Sequence, residues 1–151
     1  RVRDYPRPPA ITRESLRIRA VVDGHTVAES QRPIVIRETY HPPVFYLPPE
    51  DVDMRWLEPT GRRTFCEYKG EARYYDLVVD GRRTRNAAWY YPDPSPGYEE
   101  MVDHIAFYPG ALDEATVDGE RIEPQPGDFY GGWITSWVEG PFKGAPGTTG
   151  W

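Results

Sequence analysis

The sequence predicts a mainly β protein, a single compact domain of rolled or tent- or barrel-like antiparallel sheets with hairpins and one or two short helices. Three observations carry that expectation. Apolar and polar residues alternate with a period of two in several short runs, the pattern of half-buried strands. A Val-Asp-Gly tripeptide appears at Val22-Asp23-Gly24, Val79-Asp80-Gly81 and Val117-Asp118-Gly119, and Asp-Gly supplies the positive φ that both positions of a tight hairpin turn require. The 151 residues include 17 prolines and 14 glycines beside 14% aromatics, which suits many strands and tight turns around a packed core.

Taken in order, residues 1–15 are Arg/Pro-rich and without periodicity. They are expected to form an extended arm, either loosely packed or crossing to a second subunit, ahead of a single β domain over 16–151. Leu16–Val22 sets Leu16, Ile18, Ala20 and Val22 against Arg17 and Arg19, and His25–Ala28 returns after Asp23-Gly24. The three Asp-Gly turns are unequally spaced, so one device is reused without a repeat architecture. Ile34–Ile36 is an apolar strand that runs into Arg37, Glu38 and His41 before Pro42-Pro43 fixes the backbone. Pro49–Leu57 carries proline and acids at its start, the signature of a short helix, with Pro59 and Gly61 to stop it. Further strands are expected at Thr64–Lys69, Ala72–Val79, Arg83–Tyr91, Ile105–Tyr108 and Phe129–Thr135, and a helical turn at Tyr98–Asp103. A two-residue loop at Asp80-Gly81 sets Asp76 opposite Arg85 and Tyr74 opposite Ala87, a favourable charge pairing.

The net charge of −6 offers no field for nucleic acid or anionic membrane. One cysteine, Cys66, excludes an internal disulfide and paired-thiolate metal sites and suits a cytoplasmic location. There is no signal-peptide pattern and no run apolar enough to span a bilayer. The chain does not open on methionine, which leaves room for residues before Arg1. A homodimer is a reasonable expectation for such a domain.

Candidate chemistry gathers in three places. Alternation puts Glu38 on the face of Ile34 and Ile36, where a carboxylate must find a partner or shift its pKa. With His41 it would make an acid–base pair near neutral pH; the competing reading pairs Glu38 with an arginine and leaves His41 capping a loop. Cys66 and Lys69 flank Glu67 and Tyr68. Cys66 is a nucleophile if Lys69 reaches it, and otherwise a small buried hydrophobe. Gly131-Gly132 sit beside Tyr130 and Trp133, which with Tyr46 and Trp89 would wall a pocket or equally form an aromatic core. Lys143 lies among glycines without Walker spacing. His25, His41 and His104 are scattered and show no metal-ligand spacing, so no metal and no cofactor is expected.

The runs Glu38-Thr39-x-His41-Pro42-Pro43-Val44-x-Tyr46, Cys66-Glu67-x-Lys69-Gly70-x-Ala72, Ala88-Trp89-x-Tyr91-Pro92, Gly127-x-Phe129-Tyr130-Gly131-Gly132-Trp133 and Gly140-Pro141-Phe142-Lys143-Gly144 resemble domain-of-unknown-function family four-two-seven, found in bacteria and fungi, over about residues 16–151. The resemblance implies a compact, mostly β, tent- or barrel-like domain. It also implies that Arg37, Glu38, His41, Cys66, Lys69, Trp133 and Lys143 share one site. The family has carried a nucleotidyltransferase label. Such transfer calls for paired carboxylates on magnesium, and the nearest pair here, Asp76 and Asp80, belongs to a hairpin.

Three functions follow in order. The first is a metal-independent small-molecule enzyme. Glu38 and His41 would be its acid–base pair, Lys69 and Arg37 would recognise an anionic or carbonyl group, and Tyr46, Trp89, Tyr130, Trp133 and Lys143 would bind substrate. The second is a non-catalytic binding module, and the third a nucleotide-handling transferase.

Overall fold

A computed structural model describes residues 1–124, 131–136, 138 and 140. The chain is mainly β, antiparallel throughout its named strands, and among the described residues it has only short 3-10 turns in place of α-helix. The strands are β1 (Ala10–Arg13), β2 (Ile18–Val22), β3 (His25–Ser30), β4 (Ile34–Arg37), β5 (Val44–Tyr46), β6 (Leu57–Cys66), β7 (Gly70–Val79), β8 (Arg82–Tyr90), β9 (Ala106–Phe107), β10 (Glu114–Val117), β11 (Glu120–Arg121), β12 (Glu123–Pro124) and β13 (Trp133–Ile134). They form four open sheets, ordered β1-β4-β5, β11-β10-β2-β3, β12-β13 and β6-β7-β8-β9. No sheet among the described residues closes into a barrel; the β1-β4-β5 and β6-β7-β8-β9 sheets are linked by a bridge at Leu47–Ile105.

All three Asp-Gly pairs turn as expected. Asp23, Asp80 and Asp118 have φ near +50°, followed by Gly24, Gly81 and Gly119 between +75° and +84°, which is the doubly left-handed turn that matches strand twist. Strand β4 separates two cores by alternation: Ile34 and Ile36 join Tyr46, Tyr74, Trp89 and Tyr91, while Val35 joins Phe45, Leu47 and Leu77.

Four expectations are corrected. The N-terminal arm does not hang loose: Val2 is fully buried, β1 pairs with β4, and the Pro9 carbonyl accepts from the Tyr98 hydroxyl. The segment lacked periodicity because it is anchored at separate points. The predicted helix over 49–57 is two 3-10 turns, Pro49–Asp51 and Met54–Trp56, after which Leu57 opens β6. Pro59 does not stop β6 because this is an edge strand, where a missing donor can face away from the ladder. The β7–β8 register holds near the turn, with Val79 opposite Arg82, but slips by two beyond Leu77, so Tyr74 faces Trp89 and not Ala87. Asp76 consequently does not face Arg85. Its carboxylate accepts from the Arg83 guanidinium and from the Asn86 amide, both at 2.8 Å, with Asn86 itself left-handed at φ +49°.

No helix among the described residues is long and apolar enough to cross a membrane.

Candidate functional site

Beyond β4 the chain turns sharply at Glu38–His41. The His41 amide donates to the Glu38 carbonyl at 2.9 Å, and Tyr40 takes a left-handed φ of +65°, rare for a tyrosine. The N-terminal segment holds this turn from outside: the Tyr40 amide donates to the Val2 carbonyl at 3.0 Å and the Thr39 hydroxyl to the Tyr5 carbonyl at 2.8 Å. Glu38 thereby continues the inward face of Ile34 and Ile36, as alternation predicts.

The second wall comes from the turn between β6 and β7. There Gly70 has φ +105°, and a Cβ on it would lie 3.2 Å from Ser95 Oγ. The Lys69 carbonyl accepts from the Ser95 amide at 2.9 Å, which pins the turn under the 92–97 loop. The Lys69 side chain is sent inward, leaving the residue 5% exposed, and its ammonium pairs with Glu38 Oε1. Burial, the largest single effect, lowers the proton affinity of Lys69, but the Glu38 carboxylate together with Tyr91 and Cys66 more than offsets it and the pKa is raised on balance. Lys69 Nζ also sits 6.0 Å from the centre of the Tyr91 ring.

This pair lies in a cavity of about 260 Å3 that His41 and Cys66 also line, with Tyr46, Tyr74, Trp89, Tyr91 and Tyr108 as its ring walls. The walls brace one another. Trp89 Nε1 donates to the Tyr46 hydroxyl at 3.1 Å with the rings edge-to-face, the Trp89 and Tyr108 rings are 4.5 Å apart, and the Thr64 and Tyr74 hydroxyls are 2.8 Å apart. Burial pushes the phenols of Tyr46, Tyr91 and Tyr108 well above the ordinary tyrosine range, so they present neutral hydroxyls. Gly131 approaches this wall so closely that a Cβ there would come within 2.2 Å of the Trp89 ring.

The structure brings Glu38, His41, Cys66, Lys69, Tyr46 and Trp89 around one cavity. Cys66 and Lys69 meet there because the strand ends at Cys66 and a turn follows, which removes the alternation that would have separated them.

Two expected residues lie elsewhere. Arg37 points to the opposite side of β4, where its guanidinium grips Glu14 through two hydrogen bonds of 2.5 and 3.1 Å; that contact raises Arg37 and lowers Glu14. Trp133 is a core residue, 5.6 Å from the Phe45 ring, with Nε1 donating to the Phe107 carbonyl. Tyr130 and Lys143 lie outside the described residues, as do the first two residues of the expected strand at Phe129–Thr135, of which Trp133–Ile134 forms β13.

Sequence reasoning missed Tyr74, Tyr91 and Tyr108. Tyr91 carried a usable signal, two residues beyond Trp89 on the same face; Tyr74 was hidden by the register slip. His25 faces Asp80 at 3.0 Å, and His104 lies between the Val102 carbonyl and Arg13. Among the described residues, no group of three or more His, Cys, Asp or Glu side chains is placed to share a metal ion.

Residues 10–118 match a family model described as a domain of unknown function, DUF427. The chain belongs to the DUF427 family. The match starts at β1 and ends at the third Asp-Gly turn, whereas the motif resemblance spans residues 16–151. Every charged residue of the cavity lies inside the DUF427 match, and Gly131 lies beyond it. No curated protein matches the chain.

Proposed function

We propose that this DUF427 domain is a small-molecule enzyme that moves a proton in the ring-lined cavity. The observation that supports the reading is the ion pair of the buried Lys69 with Glu38, in a cavity that His41 also lines. Glu38 Oε1 is engaged by Lys69, and its other oxygen is the base. It takes a proton from a carbon next to a carbonyl, the electron pair moves onto the carbonyl oxygen, and the Lys69 ammonium stabilises the enolate. Return of the proton to a different atom completes a tautomerisation or isomerisation. His41 assists the proton transfer, and the rings exclude water. With Arg37 committed to Glu14, Lys69 is the cation lining the cavity that can polarise the carbonyl.

The test is deuterium uptake from D2O into small aryl ketones and arylpyruvates, followed by proton NMR. Wild type should catalyse exchange and Glu38→Gln should lose it by about a hundredfold or more, the usual scale of a general base. A folded Glu38→Gln protein exchanging at the wild-type rate overturns the proposal.

The walls of neutral tyrosines favour a second reading, a binding module that cages a ring. Ligand binding with no exchange across the panel would support it. A nucleotide-handling role is third. It would ask Lys69 to meet phosphate charge while already neutralised by Glu38, and calorimetry with ATP, with and without magnesium, tests it.

A further inference from the structure

We propose that Arg62 forms the outer half of this binding site, gripping the carboxylate of a small ring-bearing acid while the ring lies against Tyr74, Tyr108 and Trp89 and the reactive end faces Glu38 and Lys69. The inference rests on the acid–base reading of that pair and adds the substrate class.

Arg62 is aimed by a bulge. Between the paired residues Pro59–Tyr75 and Arg63–Arg73, strand β6 has three residues, Thr60, Gly61 and Arg62, where β7 has Tyr74 alone. Bulges of this kind re-aim side chains beside functional sites. The Thr60 hydroxyl fixes this one, accepting from the Arg62 amide at 3.2 Å and donating to Asn86 Oδ1 at 2.9 Å. The guanidinium then lies over the Tyr74 ring, 4.9 Å from its centre, and its charge is felt at the Tyr108 phenol. Both of those tyrosines line the cavity.

The charge on Arg62 is available. Its neighbours have carboxylates: Arg63 and Arg73 lie 3.5 and 3.6 Å from Glu71, and Arg83 lies 2.6 Å from Glu58 and 2.8 Å from Asp76. Among the described residues no carboxylate pairs with Arg62. Lys69, which lines the cavity, is paired with Glu38, whereas Arg62, over the ring of the cavity-lining Tyr74, brings an uncompensated cation next to it. One planar guanidinium fork suits a carboxylate. The cavity of about 260 Å3 holds roughly nine water volumes, room for one ring with a short side chain.

The test compares benzoate, phenylacetate, 3-phenylpropanoate and phenylpyruvate with their neutral amides by calorimetry against wild type, Arg62→Gln, Arg62→Lys and Glu38→Gln. At least one acid should bind wild type about tenfold or more tightly than its amide, the scale of a charge-assisted hydrogen bond. Arg62→Gln should erase that preference, Arg62→Lys should restore part of it, and Glu38→Gln should keep it. Arg62 is exposed, so its variants should melt with wild type. If no acid outbinds its amide, or Arg62→Gln keeps the preference, the inference fails. That failure is separable from failure of the catalytic reading: exchange that needs Glu38 without an acid preference sinks Arg62 alone, and an acid preference with Glu38-independent exchange sinks the catalytic reading alone.

Discussion

Removing either member of the Glu38–Lys69 pair should destabilise the protein, and by unequal amounts. The Lys69 side chain is 7% exposed and that of Glu38 24%. Glu38→Gln strands an ammonium with almost no water around it, whereas Lys69→Met strands a carboxylate that water can still reach through the cavity. Breaking a fully buried pair from one side costs about 3–5 kcal/mol. Gln can still accept one hydrogen bond from Lys69, so the lower end, about 3 kcal/mol, is expected for Glu38→Gln. Lys69→Met should cost about 1–2 kcal/mol, because Met keeps most of the apolar stem and the stranded carboxylate is partly hydrated. At about 2–4 °C per kcal/mol for a chain of this size, Glu38→Gln should lower Tm by roughly 6–12 °C.

The double variant Glu38→Gln/Lys69→Met leaves no stranded charge and should be more stable than Glu38→Gln alone. Urea unfolding of all four proteins closes the cycle, with a coupling of about 2 kcal/mol expected against about 0.5 kcal/mol for independent sites. A Lys69→Met protein less stable than Glu38→Gln would refute the burial argument, and an additive cycle would show that the pair does not act as a unit.

Three further outcomes follow from the same geometry. Gly131→Ala forces a Cβ to within 2.2 Å of a Trp89 ring that Tyr46 and Tyr108 hold in place. It should cost about 1–3 kcal/mol as overpacking and change tryptophan fluorescence together with ring binding. Asp76→Ala removes the acceptor for both the Asn86 amide and Arg83 and should cost about 2–3 kcal/mol in urea, more than any exposed carboxylate variant. His104 has its pKa lowered, first by burial and also by nearby Arg13. The unfolded state therefore takes up the proton first, so stability should fall as pH drops through about 6.5, the unfolded value. A His104→Gln protein should lose that slope in melting curves taken between pH 5 and 8.

How much of this was legible in the chain depends on the range of the interaction that sets each feature. The Asp-Gly turns were readable because their backbone demand is met by the two residues themselves. The inward direction of Glu38 was readable because alternation along β4 is local. The two β-bulges beside the cavity, in β6 and β8, were not. Asn86 is a non-glycine residue in the left-handed region, stabilised by Asp76 ten positions away, and Thr60 reaches Asn86 across 26 positions. Their effect is nonetheless decisive for the cavity, since the two-residue slip at Asp76 sets Tyr74 opposite Trp89 and the slip after Pro59 sets Arg62 over Tyr74.

Choosing between Arg37 and Lys69 as the cation for Glu38 needed the same long-range information. Arg37 is next to Glu38 in sequence, so it faces the other side of the strand. What holds it there is Glu14, at the end of an N-terminal segment that lacks any strand signal. Once β1 pairs with β4, Thr12 and Glu14 occupy that side and satisfy the guanidinium. Glu38 is left to the turn after β6, whose Gly70 conformation and Ser95 hydrogen bond turn Lys69 inward. The segment that looked least structured therefore holds the turn that carries Glu38 and occupies the competing arginine, which leaves the buried lysine as the partner of the carboxylate.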